Sequence, residues 1–194
     1  MTGELYYEDF EPGAVFRHWP GKTVTEADHV LFCLLTHNNH PIHLDAHYSE
    51  TATRHGKILV VSSYLFSVLL GISVADMLQK ATRHVDFESL HHVAPVFHGD
   101  TIYGESTVLA KEIVREGDAT GIVSFETCGY KHDGTLVITF RRRVAIRRAA
   151  HAAREPARFS SAFEEKVRAS REAGARAADG GNPSDAKAPG TASS

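Results

Sequence analysis

The sequence has little of what several classes of protein require. Its two cysteines, Cys33 and Cys128, match neither a disulfide framework nor a zinc ribbon, so we expect buried thiols without chemistry. Lysine and arginine number 21 against 24 acidic residues, and a formal charge of -3 lacks the basic excess of nucleic-acid-binding proteins. No apolar run reaches the roughly 18 residues that predict a membrane span, and the polar, acidic N-terminus is unlike a signal peptide. These absences predict a cytoplasmic protein that binds neither nucleic acid nor membrane.

The composition changes near residue 150. Residues 1–150 contain enough apolar, β-branched and aromatic residues for one core, whereas residues 151–194 are rich in Ala, Gly, Ser, Pro and charge. We therefore predict one domain over residues 1–150 and a polar tail over residues 151–194. The tail has room for a short surface helix at about residues 156–175, and residues 180–194 are predicted to be disordered.

The pattern of apolar residues in the first 150 residues predicts an α+β fold. Thr25 can cap a helix whose apolar residues recur at helical spacing as far as Leu35. The run KILVVSSYLFSVLLGISVADML, residues 57–78, predicts one long helix buried on nearly all sides. The alternating stretches after residue 84 predict strands, with a hairpin signal at Asp133-Gly134. A buried helix followed by an antiparallel meander predicts a sheet that curls around the helix.

Residues 36–45, THNNHPIHLD, form the densest cluster of chemically versatile side chains. His37, His40 and His43 are spaced by three, and three histidines can hold a catalytic zinc ion. Pro41 interrupts the helix on which that spacing would align them, and no nearby cysteine or HExxH pattern reinforces a metal site. The sequence therefore predicts an acid/base site or a polar loop here, and no metal or other cofactor.

Several segments together resemble the MaoC-like (R)-specific enoyl-CoA hydratases, a family with the hotdog fold. They are the motif NNHPIH at residues 38–43, His55-Gly56 before the apolar run, and PVFHGDT at residues 95–101. Within the family, the opening YYEDFEPGAVFRHWPGKTVTEAD and the phrases LLGISVAD and APVFHGDT are most similar to the mesaconyl-, methylmalyl- and itaconyl-CoA hydratases. The resemblance spans about residues 5–147. It implies a hotdog fold, in which a curved antiparallel sheet wraps a long central helix.

The same resemblance implies an activity. It is the addition or removal of water across the double bond of a short, branched dicarboxylic enoyl-CoA thioester, of the itaconyl-CoA or mesaconyl-CoA type. Hotdog protomers usually pair through their sheets, so the resemblance also implies a homodimer or a dimer of dimers. Two other functions stay open. One is a non-catalytic acyl-CoA-binding hotdog protein, and the other is an acyl-CoA thioesterase, although the apolar helix carries no carboxylate base before Asp76.

The resemblance places Asn38 and His43 where the family has its catalytic aspartate and histidine. The neutral amide of Asn38 cannot take a proton from water, so we expect His43 to carry the proton transfer, since imidazoles titrate near neutral pH. Asn38 would orient the water or the thioester. His40 is a second candidate, either for acid/base chemistry and contact with a substrate carboxylate or as a loop histidine that satisfies backbone groups.

Donors for the thioester oxygen are expected where the loop enters the apolar helix, because helix N-termini have free N–H groups. Val61-Ser62 occupies that place, and the amide of Ser62 is the first candidate; the alternative is that Ser62 only caps the helix. Cationic residues that flank the helix are candidates for binding a second carboxylate of the substrate. They are Arg54, Lys57 and Arg83. The arginines of ITFRRRVAIRR could meet the CoA phosphates or protect a charged strand edge.

Overall fold

The computed structural model describes residues 4–154 and 161–179 of the protein. The chain divides into two units, Met1–Ala153 and Arg154–Ser194. In the second unit one helix, α5, spans Ser161–Asp179. The disorder predicted for residues 180–194 lies outside the described residues.

Among its described residues, the first unit has four α-helices and five strands. Its helices are α1 (Glu26–Leu35), α2 (Pro41–Leu44), α3 (Ala46–Ala52) and α4 (Ser62–Met77). Its strands are β1 (Val15–Thr23), β2 (Ala81–His92), β3 (Thr101–Glu112), β4 (Thr120–Lys131) and β5 (Leu136–Arg147). All neighbouring strands pair antiparallel in the order β1-β3-β4-β5-β2. The predicted α+β arrangement of an antiparallel sheet and a central helix is confirmed.

Helix α4 packs on one face of the sheet because two strand glycines let it approach. A Cβ on Gly129 would lie 2.7 Å from Leu69, and one on Gly104 would lie 3.0 Å from it, both tighter than ordinary contact. Leu69 is fully buried, and the side chain of Phe140 on β5 is only 1% exposed. The sheet and α4 therefore share one core, and β3 alternates buried and half-buried residues as far as Val108.

The prediction of one helix over residues 57–78, buried on nearly all sides, is wrong at its beginning and on one face. The helix begins at Ser62, because residues 59–61 are extended and pair elsewhere. The Val60 N–H donates to the Val96 carbonyl at 2.9 Å, and Leu59 forms an isolated bridge with Phe97. Ser63, Ser67 and Gly71 are exposed along the helix. Apolar composition could not reveal these tertiary pairings.

Candidate functional site

The motif at residues 36–45 begins where α1 ends. Thr25 caps α1, accepting the Asp28 N–H as predicted, and the helix closes at Leu35. His37 follows in the left-handed region with φ 55°. Pro41 is the first residue of α2, so the helix break predicted there is confirmed. The chain turns sharply between the two helices and brings His43 back against residue 59.

His43 is half-buried and held in one orientation. Its Nδ1 lies 2.6 Å from the Leu59 carbonyl oxygen. Because a carbonyl only accepts, Nδ1 must carry the proton, which leaves Nε2 with its lone pair. The Leu59 N–H in turn donates to the Ile42 carbonyl at 3.1 Å. The imidazole therefore presents an oriented group that can take and return a proton.

Asn38 and His40 lie in the same loop and are tied to its backbone. The side-chain oxygen of Asn38 accepts the His40 N–H at 3.4 Å. His40 is the N-cap of α2, because its Nδ1 accepts the Ile42 N–H at 3.3 Å. Its ring nevertheless lies beside His43, with 6.1 Å between the ring centroids. The structure thus brings His40 and His43 together, and it gives His40 a structural contact as well.

A further histidine, His29 of α1, lies behind this loop. It is fully buried, and its Nε2 accepts the Val61 N–H at 3.0 Å. Its Nδ1 lies 2.8 Å from Nε2 of His98. An Nε2 that accepts cannot carry a proton, so Nδ1 of His29 donates to His98. Burial, reinforced by the nearby His98 and His43, lowers the pKa of His29 to about 4, so the imidazole is neutral at pH 7.

Sequence reasoning missed His29 and His98. His29 stands four residues before the buried Cys33, whose Sγ lies 3.5 Å from its Nε2. A histidine on the buried face of a helix was the available signal. Its partner His98 is 69 residues away, in the turn before β3. Nothing in the sequence next to either histidine indicates that the two side chains are bonded.

The first turn of α4 leaves two amides, those of Ser62 and Ser63, without a bonded acceptor among the described residues. The Val61 N–H is already bound to His29, so Val61 is not available as a second donor for a thioester oxygen. Ser62 occupies the first helical position, and its amide has no acceptor within residues 4–154 and 161–179. The N-cap of the helix is Val61, so Ser62 does not hold the capping position that was its alternative role. Ser63 is exposed, so the half-buried Ser62, which directly follows segment 59–61, has the open N–H that we take as the candidate donor.

A cleft of about 220 Å³ opens at the same helix end. Its wall includes Leu59, Ser62, Arg54, His55 and His92. His43 is not among the lining residues, but it is bonded to Leu59, which is. Burial lowers the pKa of His92 below its ordinary value. Leu59 thus belongs to the cleft wall and also holds the imidazole of His43.

The three cations predicted for a second carboxylate occupy different places. Arg54 lines the cleft, and Lys57 is exposed with its Nζ 4.1 Å from the centre of the Phe97 ring. Arg83 is at the other end of strand β2 from the cleft residue His92. Nine residues at roughly 3.3 Å each separate them by ~30 Å. The structure therefore does not bring Arg83 to this site within one chain.

The arginines of β5 do not lie on a sheet edge, because β5 pairs with both β4 and β2. Arg141 donates to Glu126 at 2.9 Å and Arg143 donates to Asp86 at 3.2 Å. Arg142, between them in the strand, is buried on the opposite face, and burial lowers its pKa to about 10. It donates to the Ser73 hydroxyl at 2.8 Å. These contacts account for Arg141 and Arg143 without a ligand, whereas Nε and Nη1 of the buried Arg142 have no hydrogen-bond partner among the described residues.

In the described parts of the chain, no group of three His, Cys, Asp or Glu side chains could hold a metal ion. Within residues 4–154 and 161–179, no helix is both long and apolar enough to cross a membrane.

A family model described as MaoC-like domain matches residues 9–127 of the chain. Mesaconyl-CoA hydratase of Cereibacter sphaeroides is 27% identical over 152 residues, covering 78% of this chain and 44% of that protein. β-Methylmalyl-CoA dehydratase of Chloroflexus aurantiacus is 30% identical over 125 residues, covering 64% and 35%. The chain spans less than half the length of these two relatives.

A solved structure identifies the fold. A conserved protein of Mycobacterium tuberculosis with a double hotdog fold superposes with a TM-score of 0.66 at 21% identity, covering 79% of this chain and 47% of that one. The predicted hotdog fold is therefore confirmed, and one copy of this chain corresponds to about half of the double structure.

Proposed function

Because the chain belongs to the MaoC-like domain family, we propose that it is a hydro-lyase that adds water to, or removes it from, the double bond of a short enoyl-CoA thioester. The observation that carries this proposal is the orientation of His43. Its Nδ1–H is fixed on the Leu59 carbonyl, and its Nε2 is left to exchange a proton. The acyl group is proposed to be branched and dicarboxylic, because the two similar curated proteins are named for mesaconyl-CoA and β-methylmalyl-CoA.

Hydration requires a base for water, an acid for the α-carbon and a donor for the enolate oxygen. In the proposed reaction, Nε2 of His43 takes a proton from water while the water oxygen bonds to the β-carbon. The π electrons move towards the thioester, whose oxygen becomes an enolate. Nε2 then returns its proton to the α-carbon, so one imidazole serves both steps. Asn38 is proposed to orient the water, and His40 to assist as a neighbouring imidazole.

The test is a panel of C4 to C6 enoyl-CoA esters with and without a second carboxylate, followed by loss of enoyl-thioester absorbance. The His43→Ala variant should lose at least about 100-fold in kcat/KM, since general acid/base catalysis contributes this much or more. His47→Ala, an exposed histidine of α3, is the matched control and should keep wild-type activity. Undiminished turnover in His43→Ala would remove His43 from the mechanism.

The N–H of Ser62 is proposed to bind the thioester oxygen, and its helical position allows a sharp test. Proline is tolerated at the first position of a helix, where it deletes only the N–H. Val61 has φ -66° and ψ 133°, a conformation that a following proline accepts. Ser62→Pro should therefore lose about 100-fold in kcat and remain folded. Ser62→Ala keeps the N–H and should stay within a few-fold of the wild type.

The distal carboxylate of the substrate is proposed to bind in the cleft. The candidate cations are Arg54, which lines the cleft, and Lys57, which lies over the Phe97 ring. His55 and His92 also line the cleft. Arg54→Gln should raise KM for a dicarboxylic ester and leave KM for a monocarboxylic ester of the same length unchanged. An equal change for both esters would assign Arg54 to the CoA moiety instead.

The active unit is proposed to be a homodimer, alone or as part of a dimer of dimers. Strand β2 is an edge of the sheet, and its apolar residues Phe87 and Leu90 are 44% and 42% exposed. An exposed apolar edge is normally covered. Leu90→Lys should lower the mass measured by analytical ultracentrifugation to that of a monomer. Val114→Lys, at a loop residue 70% exposed, is the control.

A thioesterase is the enzymatic alternative. It would need a nucleophile, and His18, Asp76 and Ser106 form the group, here called the serine cluster, that could supply one. His18 lies 3.0 Å from Asp76 and 2.8 Å from the Ser106 hydroxyl, an order that resembles a hydrolytic triad. Ser106, however, is fully buried and also bonds Thr127. A nucleophile without accessible surface cannot reach a thioester, so we assign this cluster to stability.

Release of free CoA thiol in the substrate panel would indicate a thioesterase after all. Calorimetric binding of saturated and unsaturated esters alike, without turnover, would indicate a non-catalytic binder.

A further inference from the structure

We infer that His29 is a positioning residue: by accepting the Val61 N–H at Nε2, it fixes the peptide that precedes the Ser62 donor, and His98 holds it in the tautomer that can do so. The inference rests on the proposed function for its catalytic consequence. Its geometric part, two hydrogen bonds at 3.0 Å and 2.8 Å, stands apart from any activity.

The extended segment 59–61 shows why the fixing matters. The three successive N–H groups of this segment are each occupied, by the carbonyl of Ile42, the carbonyl of Val96 and Nε2 of His29. Ser62 is therefore the first residue whose N–H is left without an acceptor among the described residues. If the third of these bonds were lost, the Val61 N–H would become a further free donor beside that of Ser62, and the Val60–Val61 peptide plane, which leads into the Ser62 donor, could rotate.

The same segment also holds the base, because the Leu59 carbonyl accepts Nδ1–H of His43. His29 and His43 thus bind the two ends of three residues, and their ring centroids are 6.0 Å apart. Displacing this segment would alter both the imidazole and the donor. An error of 1 Å in such an arrangement can cost about 100-fold in rate.

The tautomer of His29 depends on what each ring nitrogen meets. Nε2 faces an N–H, so a proton there would oppose the Val61 amide. Nδ1 faces Nε2 of His98, which must accept, so the proton of His98 is on its own Nδ1. The groups that face the His29 ring are the neutral Tyr64, the Cys33 thiol, His43 and His98, together with the Val61 amide. None of them is a carboxylate that would favour a charged imidazole.

The first experiment measures the tautomer directly. Long-range ¹H–¹⁵N correlation spectra of the full chain, with His29 assigned from its His29→Gln variant, should show a neutral ring protonated on Nδ1 at pH 7. This form is the less common tautomer of free histidine. A ring protonated on Nε2, or a cationic ring, would overturn the inference whatever the enzyme does.

The second experiment uses three variants that dissect the two bonds. His29→Gln can still offer an oxygen to the Val61 N–H, His29→Asn can reach only towards His98, and His29→Leu removes both. We expect kcat to fall about 10- to 100-fold for Asn and Leu and to stay within about three-fold for Gln. The Kd for a saturated acyl-CoA should stay within about two-fold throughout, since the donor acts on the developing enolate.

If His29 had only a structural role, the loss of kcat across the three variants would be proportional to their loss of thermal stability. Thermal unfolding of each variant is therefore measured alongside, and assays are run well below the lowest Tm. Full kcat in folded His29→Leu, or equal losses for Gln and Leu, would overturn the positioning role. A wild-type chain that binds acyl-CoA without turnover would refute the proposed function, and the tautomer would then decide the geometric part alone.

Discussion

Acid should destabilise this fold through His29 in a defined pH window. The pKa of His29 is lowered from 6.5 to about 4, chiefly by burial and further by His98 and His43. Between these two pH values the unfolded chain binds a proton that the folded chain refuses. The free energy of unfolding therefore rises with pH across this window. The contribution is complete above about pH 7 and is lost as the pH falls through 6.5 towards 4.

The magnitude follows from the same two pKa values. A pKa moved from 6.5 to about 4 corresponds to about 3 kcal/mol at the acid limit. At pH 5, where the folded protein has only begun to charge His29, the loss is about 2 kcal/mol. Loss of this size is a substantial part of the stability of an ordinary domain, about 5–15 kcal/mol. Acidification to pH 5 should be visible in any equilibrium unfolding curve.

The assay is urea unfolding of the wild type and His29→Gln at pH 7.5, 6 and 5, at one fixed protomer concentration. Glutamine keeps an acceptor for the Val61 N–H and does not titrate. His18, His84 and His92 also have pKa values lowered by burial, but both proteins retain them, so the difference isolates His29. The wild type should lose about 2 kcal/mol more than the variant between pH 7.5 and 5. Equal losses would refute a neutral, buried His29.

Three further substitutions test separate parts of the molecule. Asn38→Asp should keep or raise kcat and Asn38→Ala should lower it about ten-fold, if the amide orients water for His43; equal rates in a steady-state assay would exclude a role for residue 38. Gly121→Ala should lower the free energy of unfolding by about 1–3 kcal/mol, because the new Cβ would lie 2.3 Å from the buried Tyr7 ring; an unchanged urea midpoint would contradict that packing. Ser106→Ala should cost about 1–2 kcal/mol of stability through its lost bond to His18 and leave kcat unchanged; a loss of turnover in the folded variant would return the serine cluster to the mechanism.

The fold was largely predictable because its signals are local. The cap at Thr25, the break at Pro41 and the strands after residue 84 each follow from a few neighbouring residues. The beginning of α4 was not predictable, because residues 59–61 are as apolar as the helix they precede. What makes them extended is their pairing with Ile42, Val96 and His29, from three other parts of the chain.

The candidate site divides in the same way. His43 was proposed from its motif, whereas the partner that orients it, the Leu59 carbonyl, is a backbone group that any residue would supply. Arg83 was expected near the site because it follows the helix closely in sequence. A helix of 16 residues separates its two ends by about 24 Å, so residues after its end cannot return to its beginning without a strand of equal length.

The short connection between base and donor has a consequence for where catalysis is sensitive to mutation. His43 is bonded to Leu59, and the proposed donor is Ser62, so three peptide units define their relative position. In the far half of α4, where Ser73 meets Arg142, packing changes lie roughly 16 Å along the helix from Ser62. Those changes should alter stability with kcat preserved, as Ser73→Ala would show. Substitutions that remove the hydrogen bonds holding residues 59–61, above all at His29, should instead lower kcat more than they lower the free energy of unfolding.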